Sequence, residues 1–448
     1  MKLLSLRTFR HGVHPPESKD ETSGSPIRQF PFAPLLVLPL VQHLGKPSVP
    51  EVREGEHVVR GQRIARPDGF MSVSLHASAS GVVRKIALTP SISGRMVPGI
   101  FLEPHPASTQ EASQGTPCPL ETATPERILA AIQDAGLVGL GGAAFPTHVK
   151  LSLPEGRSVD TLIINGAECE PYLTTDHRVM LEQRDDVLMG IRYLLAVSGA
   201  ARAILAVEAN KGDAAAHLRD GLPDDLPASV ELLRVKYPQG AEKLLITALL
   251  GREVPSGKLP LDAHALCVNV ATTAEIGRLL PLGRGIEERV ITISGPAVER
   301  KGNYRIPIGT PLRFLLEQVG AREDVNRVFL GGPMMGAAVP SLDIPITKGT
   351  SGVVAFTDTE AERTHRKVYP CIRCGYCLDA CPVFLNPSEL GILAGKHEYS
   401  RMAEDFHLMD CFECGACSFV CPSHIPLVQE FRAAKAAVRK AALAERAS

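Results

Sequence analysis

The middle of the chain alternates between short apolar runs and stretches with helical spacing. Apolar runs that end in polar residues occupy 159–164 and 201–210 and the stretch up to Asn269, and a further strand is predicted from Ala228 on. Helical patterns follow, one of them from about Ala241. Repeated strand-to-helix crossovers of this kind build a parallel sheet covered by helices. Ligands of such sheets bind at the carboxyl ends of the strands, where these polar residues fall. The pattern therefore predicts an α/β domain with a binding site at one sheet edge.

Two smaller β units are predicted on either side of this domain. Val52–Ile86 has short apolar alternations separated by glycines, which indicates short strands and tight turns. It resembles the barrel-sandwich hybrid of lipoyl domains, but His76–Ser80 lacks the lysine that would carry the lipoyl group, so we expect a structural or docking module. Arg289–Gly320 predicts a strand, a polar turn, a second strand and a helix capped at Thr310, with Pro311 next.

The composition narrows the class of function. The chain has 448 residues, enough for several domains, and a net charge of -1, with no Trp and seven Tyr. A balanced charge and few aromatic side chains argue against nucleic-acid binding. No apolar run approaches the ~20 residues that a membrane-spanning helix needs, so any membrane contact is expected to be peripheral. Eleven cysteines, eight of them in one block, favour metal ligation in a reducing compartment over disulfide bonds.

The cysteine block consists of two runs with identical spacing, CIRCGYCLDACP at 371–382 and CFECGACSFVCP at 411–422. This pattern is typical of bacterial two-cluster ferredoxins, in which the fourth cysteine of each run ligates the cluster of the other run. The pattern assigns one [4Fe–4S] cluster to Cys371, Cys374, Cys377 and Cys421, and the other to Cys411, Cys414, Cys417 and Cys381. Zinc is the alternative, but its knuckles pair across a longer loop and fit tandem four-cysteine runs poorly. Leu390, Leu393 and Ala394 predict a helix between the two loops.

A glycine cluster precedes the first strand of the α/β domain, in DAGLVGLGGAAFPTHVK at 134–150. It follows a predicted helix with Thr124 as its N-cap and Pro125 as its first residue. Clustered glycines let the backbone approach a flat or anionic ligand closely, although the G-x-G-x-x-G fingerprint is absent. A tight turn that ends a helix is the alternative for this segment. A helix cap is likewise the alternative for Asn165 and Asn269, which end two of the predicted strands.

Four of these motifs carry a specific resemblance. GLVGLGGAAFPTHVK, NGAECEP, YPQGAEK and NVATTAEI are similar, in order and spacing, to the flavin- and NADH-binding motifs of the flavoprotein subunit of respiratory NADH dehydrogenase. With the β-grasp-like segment and the double cysteine run, the chain more closely resembles the C subunit of the Rnf (Rsx) electron-transport complex, from Phe9 to about Leu427. The resemblance implies a multidomain α/β protein with a barrel-sandwich-hybrid-like β domain at 1–118, a Rossmann-like FMN/NADH domain at 119–286, a β-grasp (soluble-ligand-binding) domain at 287–357, a helical bis-[4Fe–4S] ferredoxin-type domain at 358–431 and an Ala-rich tail at 432–448.

The resemblance also implies roles for single residues. The FMN site would be formed by Gly139, Gly141, Gly142, Lys150, Asn165, Glu168, Asn269 and Thr272. The nicotinamide of NAD(H) would lie near Phe145, Glu170, Tyr237, Gly240 and Glu242. Two positions depart from the dehydrogenase pattern, because Ala167 stands in place of an Asp and Ala241 in place of the first of two paired acids. No catalytic acid or nucleophile is expected.

The function implied is that of a peripheral oxidoreductase subunit of a membrane-bound, ion-translocating electron-transport complex on the cytoplasmic face of the bacterial inner membrane. Its partners would be other subunits of the complex, with a ferredoxin-type carrier at the other end. Two alternatives stay open: a soluble NADH-oxidising diaphorase subunit, and an electron-carrier scaffold that has lost its nucleotides. Phe329–Val339 is expected to serve packing or close backbone approach, and the basic helix at the C-terminus is expected to be solvated.

Overall fold

The computed structural model of the protein describes residues 6–359 and 367–447. Residues 1–5, 360–366 and 448, which belong to the predicted first, fourth and last segments, lie outside the described residues. Within this described part, no helix has both the length and the apolar character needed to cross a membrane. Short 3₁₀ helices occupy Leu120–Thr122, Ala209–Lys211, Pro260–Ala263, Leu280–Leu282 and Leu408–Asp410.

The N-terminal region forms a small two-sheet β unit. Its elements are α1 Asp20–Ser23, β1 Ile27–Gln29, β2 Leu36–Pro39, β3 Val49–Pro50, β4 His57–Val58, β5 Arg63–Arg66, β6 Leu75–His76, β7 Gly81–Pro90 and β8 Met96–Pro104. One antiparallel sheet has the order β2-β8-β7-β4 and the other β3-β5-β6. Leu38, Ile64 and Val83 are buried in its core. The predicted barrel-sandwich unit is therefore confirmed, while β1 leaves it and joins another sheet.

The central domain contains a four-stranded, wholly parallel sheet in the order β11-β10-β9-β12. Its elements are α2 Pro125–Asp134, α3 Thr147–Leu151, β9 Thr161–Gly166, α4 Thr175–Glu182, α5 Arg184–Ser198, β10 Arg202–Glu208, α6 Gly212–Asp220, β11 Ala228–Leu233, α7 Glu242–Leu250, β12 Ala265–Asn269 and α8 Val270–Leu279. Thr124 caps α2 by accepting a hydrogen bond from the Arg127 amide, as the sequence predicts. One hydrophobic core joins Ile100 of the β unit to Ile132 and Leu266 here, so the two units are packed together.

The third unit is a six-stranded sheet in the order β1-β14-β13-β17-β15-β16. Its elements are β13 Glu288–Ser294, β14 Gly302–Pro307, α9 Leu312–Gln318, β15 Arg327–Leu330, β16 Ala337–Ala338 and β17 Gly352–Phe356. β1 pairs with β14 in parallel, with Ile27 opposite Asn303. The predicted helix cap at Thr310 is wrong. Pro311 is the N-cap, and the Thr310 hydroxyl instead donates to the Pro307 carbonyl at 2.7 Å, because the hydroxyl faces back towards the strand.

The last unit is helical and surrounds the cysteine runs. Its helices are α10 Tyr376–Ala380, α11 Pro387–Gly395, α12 Tyr399–Glu404, α13 Ala416–Phe419 and α14 Leu427–Ala447. α11 is the predicted linking helix. The first half of α14 is not solvated as expected, because Leu427, Phe431 and Ala434 form an apolar stripe that packs into the core of this unit and buries Lys435 with it.

Candidate cofactor sites

The parallel sheet has a topological switch point between β9 and β12. The chain runs from β9 outwards to β10 and β11 on one side, then returns to place β12 on the other side of β9. Asn165, the last residue but one of β9, lies directly opposite Asn269, the last residue of β12. Ligands of open α/β sheets bind outside the strand ends at such a switch point. The structure thus brings two of the predicted FMN residues together at the expected position.

The side chains of both asparagines are fixed by hydrogen bonds. The Asn269 carbonyl oxygen accepts from the amides of Ala271 and Thr272 and so caps α8, while its amide donates to Asp176 at 2.7 Å. The Asn165 amide donates to the Gly240 carbonyl at 2.9 Å, which ties the end of β9 to the turn before α7. Asn269 therefore does cap a helix, as the alternative interpretation expects. Because its side chain holds the first turn of α8, the N-terminus of this helix lies at the switch point.

The glycine cluster forms a loop over this switch point. The Leu140 amide donates to the Thr272 hydroxyl at 2.9 Å, which anchors the loop on α8. Gly141 lies so close to Asn269 that a Cβ at Gly141 would be 3.3 Å from the Asn269 amide nitrogen. Gly142 has a φ of +111°, a conformation that disfavours residues with a side chain. The loop exposes backbone next to Asn269 and Thr272, as close approach to a flat or anionic ligand requires.

Two buried basic side chains, those of Arg289 and Lys348, donate hydrogen bonds to main-chain carbonyls of this segment. Arg289 on β13 donates to the Leu140 carbonyl at 2.9 Å. Lys348 donates to the carbonyls of Gly136, at 2.8 Å, and of Ser74 in the β unit, at 2.6 Å. Burial lowers the pKa of Lys348 to about 7. No sequence motif marks either residue, because both reach the loop across more than 100 positions of the chain.

The acidic residues after β9 are held by main-chain donors. The Glu168 carboxylate, nearly buried, accepts from the amides of Asp176, at 3.0 Å, and His177, at 3.4 Å, in the first turn of α4. Burial, and then the charge of Glu168, raises the pKa of Asp176. Asp176 also holds Asn269 and was not singled out by its sequence context, although it lies in the same segment as Glu168.

The next acid, Glu170, contacts the β-grasp unit instead of a helix. Its carboxylate accepts from the amides of Met334, at 3.1 Å, and Met335, at 2.7 Å, in the Gly- and Met-rich loop. Gly332 packs against this carboxylate so closely that a Cβ would lie 2.1 Å from an oxygen. The expected close backbone approach in this segment is therefore to Glu170. Burial raises the pKa of Glu170 to about 7, against the opposing effect of the two amides.

We expect Glu170→Gln to change how stability depends on pH. A carboxyl group whose pKa is raised by folding stabilises the folded state while it is neutral. Its contribution to the free energy of unfolding therefore falls as the pH rises from about 4.3, its pKa in the unfolded chain, to about 7, its pKa in the folded protein. The melting temperature of the wild type should therefore drop relative to Glu170→Gln between about pH 5 and about pH 7, and run parallel above that range. Glu323→Gln, at an exposed position, is the control. Parallel curves over the whole range would contradict the shift.

The remaining residues predicted to bind NAD(H) fall into two groups. Phe145 closes the glycine loop through its carbonyl, which accepts from the Gly139 amide at 2.8 Å, and Glu242, at the start of α7, forms an ion pair with Lys150 of the predicted FMN site. Tyr237 instead is fully buried, and its hydroxyl donates to the Cys414 carbonyl at 2.6 Å. Tyr237 thus links the α/β domain to a cysteine loop.

Both departures from the dehydrogenase pattern meet at Gly240. A Cβ at Gly240 would lie 2.5 Å from the Ala167 carbonyl oxygen, and Ala241 is the next residue along the chain. The Gly240 amide also donates weakly to the sulfur of Cys169, at 3.4 Å. The dehydrogenase pattern has acids at both positions, so this chain lacks two negative charges, one at the residue whose carbonyl contacts Gly240 and one at the residue after Gly240.

A buried lysine from the N-terminal segment supports the acidic loop. Lys19 donates to the carbonyls of Glu168, Glu170 and Leu173, at distances between 2.6 and 2.9 Å. Burial lowers its pKa, and Glu168 opposes this. A second buried lysine, Lys211, pairs with the carboxylate of Glu208 at 2.9 Å. Neither lysine was identified from the sequence, since Lys19 lies some 150 positions from its acceptors.

The cysteines separate into the two crossed sets that the spacing predicts. The inner set consists of Cys381, Cys411, Cys414 and Cys417, which line one cavity. The outer set consists of Cys371, Cys374, Cys377 and Cys421. Burial raises the pKa of Cys377, and the neighbouring charges that act on this thiol are those of the other three outer cysteines. The fourth cysteine of each run therefore lies with the first three of the other run.

The two cysteine loops can be compared for how well they fit a cluster. Across residues 6–359 and 367–447, no three His, Cys, Asp or Glu side chains are placed to hold one metal ion. The loops share one geometry: Gly375 and Gly415 have φ values of +83° and +79°, and Arg373 and Glu413 each donate an amide hydrogen to the preceding cysteine sulfur at 3.4 Å. Amides that point at the sulfurs favour thiolates, so the residues fit [4Fe–4S] ligation.

Family models match the chain in the same four regions. A barrel-sandwich hybrid domain of RnfC matches residues 7–106, and a Nuo51 FMN-binding domain matches 132–278. An SLBB domain matches 290–338 and a 4Fe-4S dicluster domain matches 367–425. The predicted fold class, with an FMN-binding domain and a dicluster domain, is confirmed.

Known proteins resemble the chain over nearly its full length. The C subunit of the proton-translocating ferredoxin:NAD(+) oxidoreductase complex of Clostridium ljungdahlii is 40% identical over 99% of this chain and 96% of its own length. The C subunit of the Na(+)-translocating complex of Acetobacterium woodii is 39% identical over 96% of each chain. A crystal structure of an NAD+-reducing [NiFe]-hydrogenase shares the fold, with 20% identity, 72% and 67% coverage and a TM-score of 0.51. The chain therefore belongs to the family of RnfC, the C subunit of ion-translocating ferredoxin:NAD(+) oxidoreductase complexes.

Proposed function

We propose that this chain is the peripheral subunit of an ion-translocating complex that passes electrons between NAD(H), FMN and two [4Fe–4S] clusters, with a ferredoxin-type carrier at the other end. The family relatives are named as subunits of complexes of this kind. The observation that carries the proposal is the contact of Tyr237, in the α/β domain, with Cys414, in the inner set. It joins a flavin-type site to a cluster-type site within one apolar cluster.

FMN exchanges a two-electron hydride with NAD(H) and single electrons with iron–sulfur clusters, so it supplies the step between the two. The residues of this chain bind and orient it. The glycine loop at Gly141 leaves space over the switch point, and the N-terminus of α8, capped by Asn269, would favour the anionic phosphate of FMN. Asn165 fixes the Gly240 turn at the other side. Phe145 and the Lys150–Glu242 pair border the same loop and would meet the nicotinamide side.

The two clusters would carry electrons in a fixed order. The inner set is mostly buried and adjoins the α/β domain through Tyr237, whereas Cys371 and Cys374 of the outer set are exposed. The inner cluster would therefore receive electrons from the flavin, and the outer cluster would exchange them with a partner. Tyr237, which the resemblance places at the nicotinamide, would instead occupy the space between flavin and inner cluster.

Exposed apolar side chains are close in sequence to the outer cysteines. These are Ile372, Tyr376, Leu378 and Phe419. Large apolar groups clustered around exposed thiols mark a docking surface. We assign it to the partner protein that carries the next redox centre, because that protein must approach the outer cluster closely. Attachment through such a partner would hold the chain at the membrane; we place it on the cytoplasmic face, where NAD(H) is available.

We expect Ile372→Ser to weaken attachment to the complex without affecting NADH oxidation. Ile372 is 68% exposed beside Cys371, and losing its apolar contact should weaken binding by about tenfold, or 1.4 kcal/mol. Association with membranes of a strain that lacks the native protein measures the first effect, and NADH-driven ferricyanide reduction measures the second. Leu443→Ser, 66% exposed on α14, is the matched control. Equal retention of both variants would contradict the assignment.

The proposal as a whole is tested by anaerobic NADH titration of the reconstituted chain, with iron and flavin assayed on the same sample. About eight irons and one FMN, bleached by NADH, are the expected result. Eight irons without flavin and without a response to NADH would leave the cluster sites and support the scaffold alternative. Full activity with no membrane association would support the soluble diaphorase.

A further inference from the structure

Helix α14 holds two cations beside the inner cysteine loop. Arg432 and Lys435 lie one turn apart and bind the two oxygens of the Glu413 carboxylate, each at 3.1 Å. Lys435 also donates to the carbonyl oxygen of Cys411, and its residue is only 5% exposed. Two cations outweigh one carboxylate, so a net positive charge lies next to the inner loop, and its buried member is Lys435, since Arg432 is half-exposed.

The outer loop repeats the backbone of the inner loop but not this charge arrangement. Arg373 occupies the position equivalent to Glu413, with a similar left-handed φ of +55° against +62°. Arg373 is exposed, so water and salt screen its charge. Two loops of nearly identical geometry thus differ mainly in what lies beside them: a solvated cation at the outer loop and a buried one at the inner loop.

The buried charge is not what packing alone would select at this position. Lys435 follows Phe431 and Ala434, which belong to the apolar core of the unit together with Leu408 and Cys417. A methionine there would avoid the cost of removing an ammonium group from water, but it would leave the Cys411 carbonyl and one Glu413 oxygen without this donor. The ammonium group therefore has a use that an apolar side chain could not supply.

We propose that Lys435, with Arg432 and Glu413 fixing its position, raises the reduction potential of the inner cluster. Reduction adds one electron, and hence one negative charge, inside the ring of inner thiolates, with no proton required. A buried cation stabilises that added charge, since buried pairs are screened far less than exposed ones. Lys435 acts through the Cys411 loop and is a positioning residue. This inference rests on the proposed assignment of the inner set to a cluster.

The test is an anaerobic redox titration of the full, reconstituted chain followed by electron paramagnetic resonance. Lys435→Met should lower the ratio of reduced to oxidised inner cluster about tenfold at a fixed potential, equal to about 59 mV for one electron. Lys435→Arg, which keeps the charge, should titrate like the wild type. Lys440→Met, an exposed lysine further along α14, is the matched control and should change neither midpoint.

If Lys435→Met loses iron, a second variant whose expected shift of the inner midpoint has the opposite sign tests the inference. Glu413→Gln removes the carboxylate and leaves both cations, so it should raise the inner midpoint. Unchanged midpoints in Lys435→Met with full iron content would overturn the inference, and so would an unchanged or lower midpoint in Glu413→Gln. Failure of the cluster assignment on which the inference rests would look different, because the wild type itself would then lack eight irons or a second one-electron step. Failure of the proposed NADH role would leave both midpoints measurable and would appear as missing flavin and no response to NADH.

Discussion

Cys417→Ala is expected to lower the iron content of the reconstituted chain from about eight atoms to about four. Cys417 is buried and lines the inner cavity with Cys381, Cys411 and Cys414. Losing one of the four thiolates removes the inner cluster, while the outer set keeps all its ligands. NADH should still bleach the flavin, but electrons should no longer reach the outer cluster. Iron analysis and the resonance signal after NADH addition measure both effects.

The matched control is Cys118→Ala, which removes a buried thiol outside both sets. We expect that variant to keep about eight irons and wild-type electron transfer. If NADH reduced the outer cluster of Cys417→Ala at the wild-type rate, the proposed order of the clusters would be wrong. Loss of all iron would instead mean that the two clusters assemble only together, which the iron content of Cys371→Ala would then show as well.

Gly141→Leu is expected to abolish flavin binding, with FMN content at about a tenth of the wild type or less, equal to at least about 1.4 kcal/mol of binding free energy. Gly141 is exposed over the switch point, and a Cβ there would touch Asn269 at 3.3 Å. A leucine side chain would therefore occupy the space between the glycine loop and α8. Iron content should stay near eight, and NADH should no longer reduce the clusters.

Gly395→Leu is the control for this substitution. Gly395 lies at the exposed end of α11, where nothing is within 4 Å of the place that a Cβ would take. Its flavin content and melting temperature should match the wild type. Full FMN occupancy in Gly141→Leu would contradict a site over the switch point and would favour the interpretation of the glycine cluster as a turn alone.

The features that could be predicted are those encoded by local spacing. The crossed cysteine sets follow from two runs of the same pattern, and Asn165 and Asn269 follow from the points at which apolar strands end. Lys19 and Lys348 could not be found in this way. Each is a single lysine in an ordinary segment, and its hydrogen-bond acceptors become neighbours only when distant units pack together.

The burial of α14 was missed for a related reason. Its alanines and basic residues give a composition typical of solvated helices, and only Leu427, Phe431 and Ala434 form the stripe that packs. The contact of Tyr237 with Cys414 was also beyond reach, because it joins residues 177 positions apart. The placement of side chains around a site therefore depends on how the units pack against each other. The hydrophobic periodicity within one unit carries no information about that packing.

The pairing of β1 with β14 has a consequence for synthesis on the ribosome. Thr22 and Asn303, beside this pair, are bonded across 281 positions of the chain. At about 5–20 residues per second, the N-terminal strand emerges roughly 14 to 56 seconds before its partner exists. During that interval it is an unpaired edge, and β1 is kept short and polar (Ile-Arg-Gln), which limits its tendency to aggregate. β1 is made early but can join the sheet only after β14 has been made.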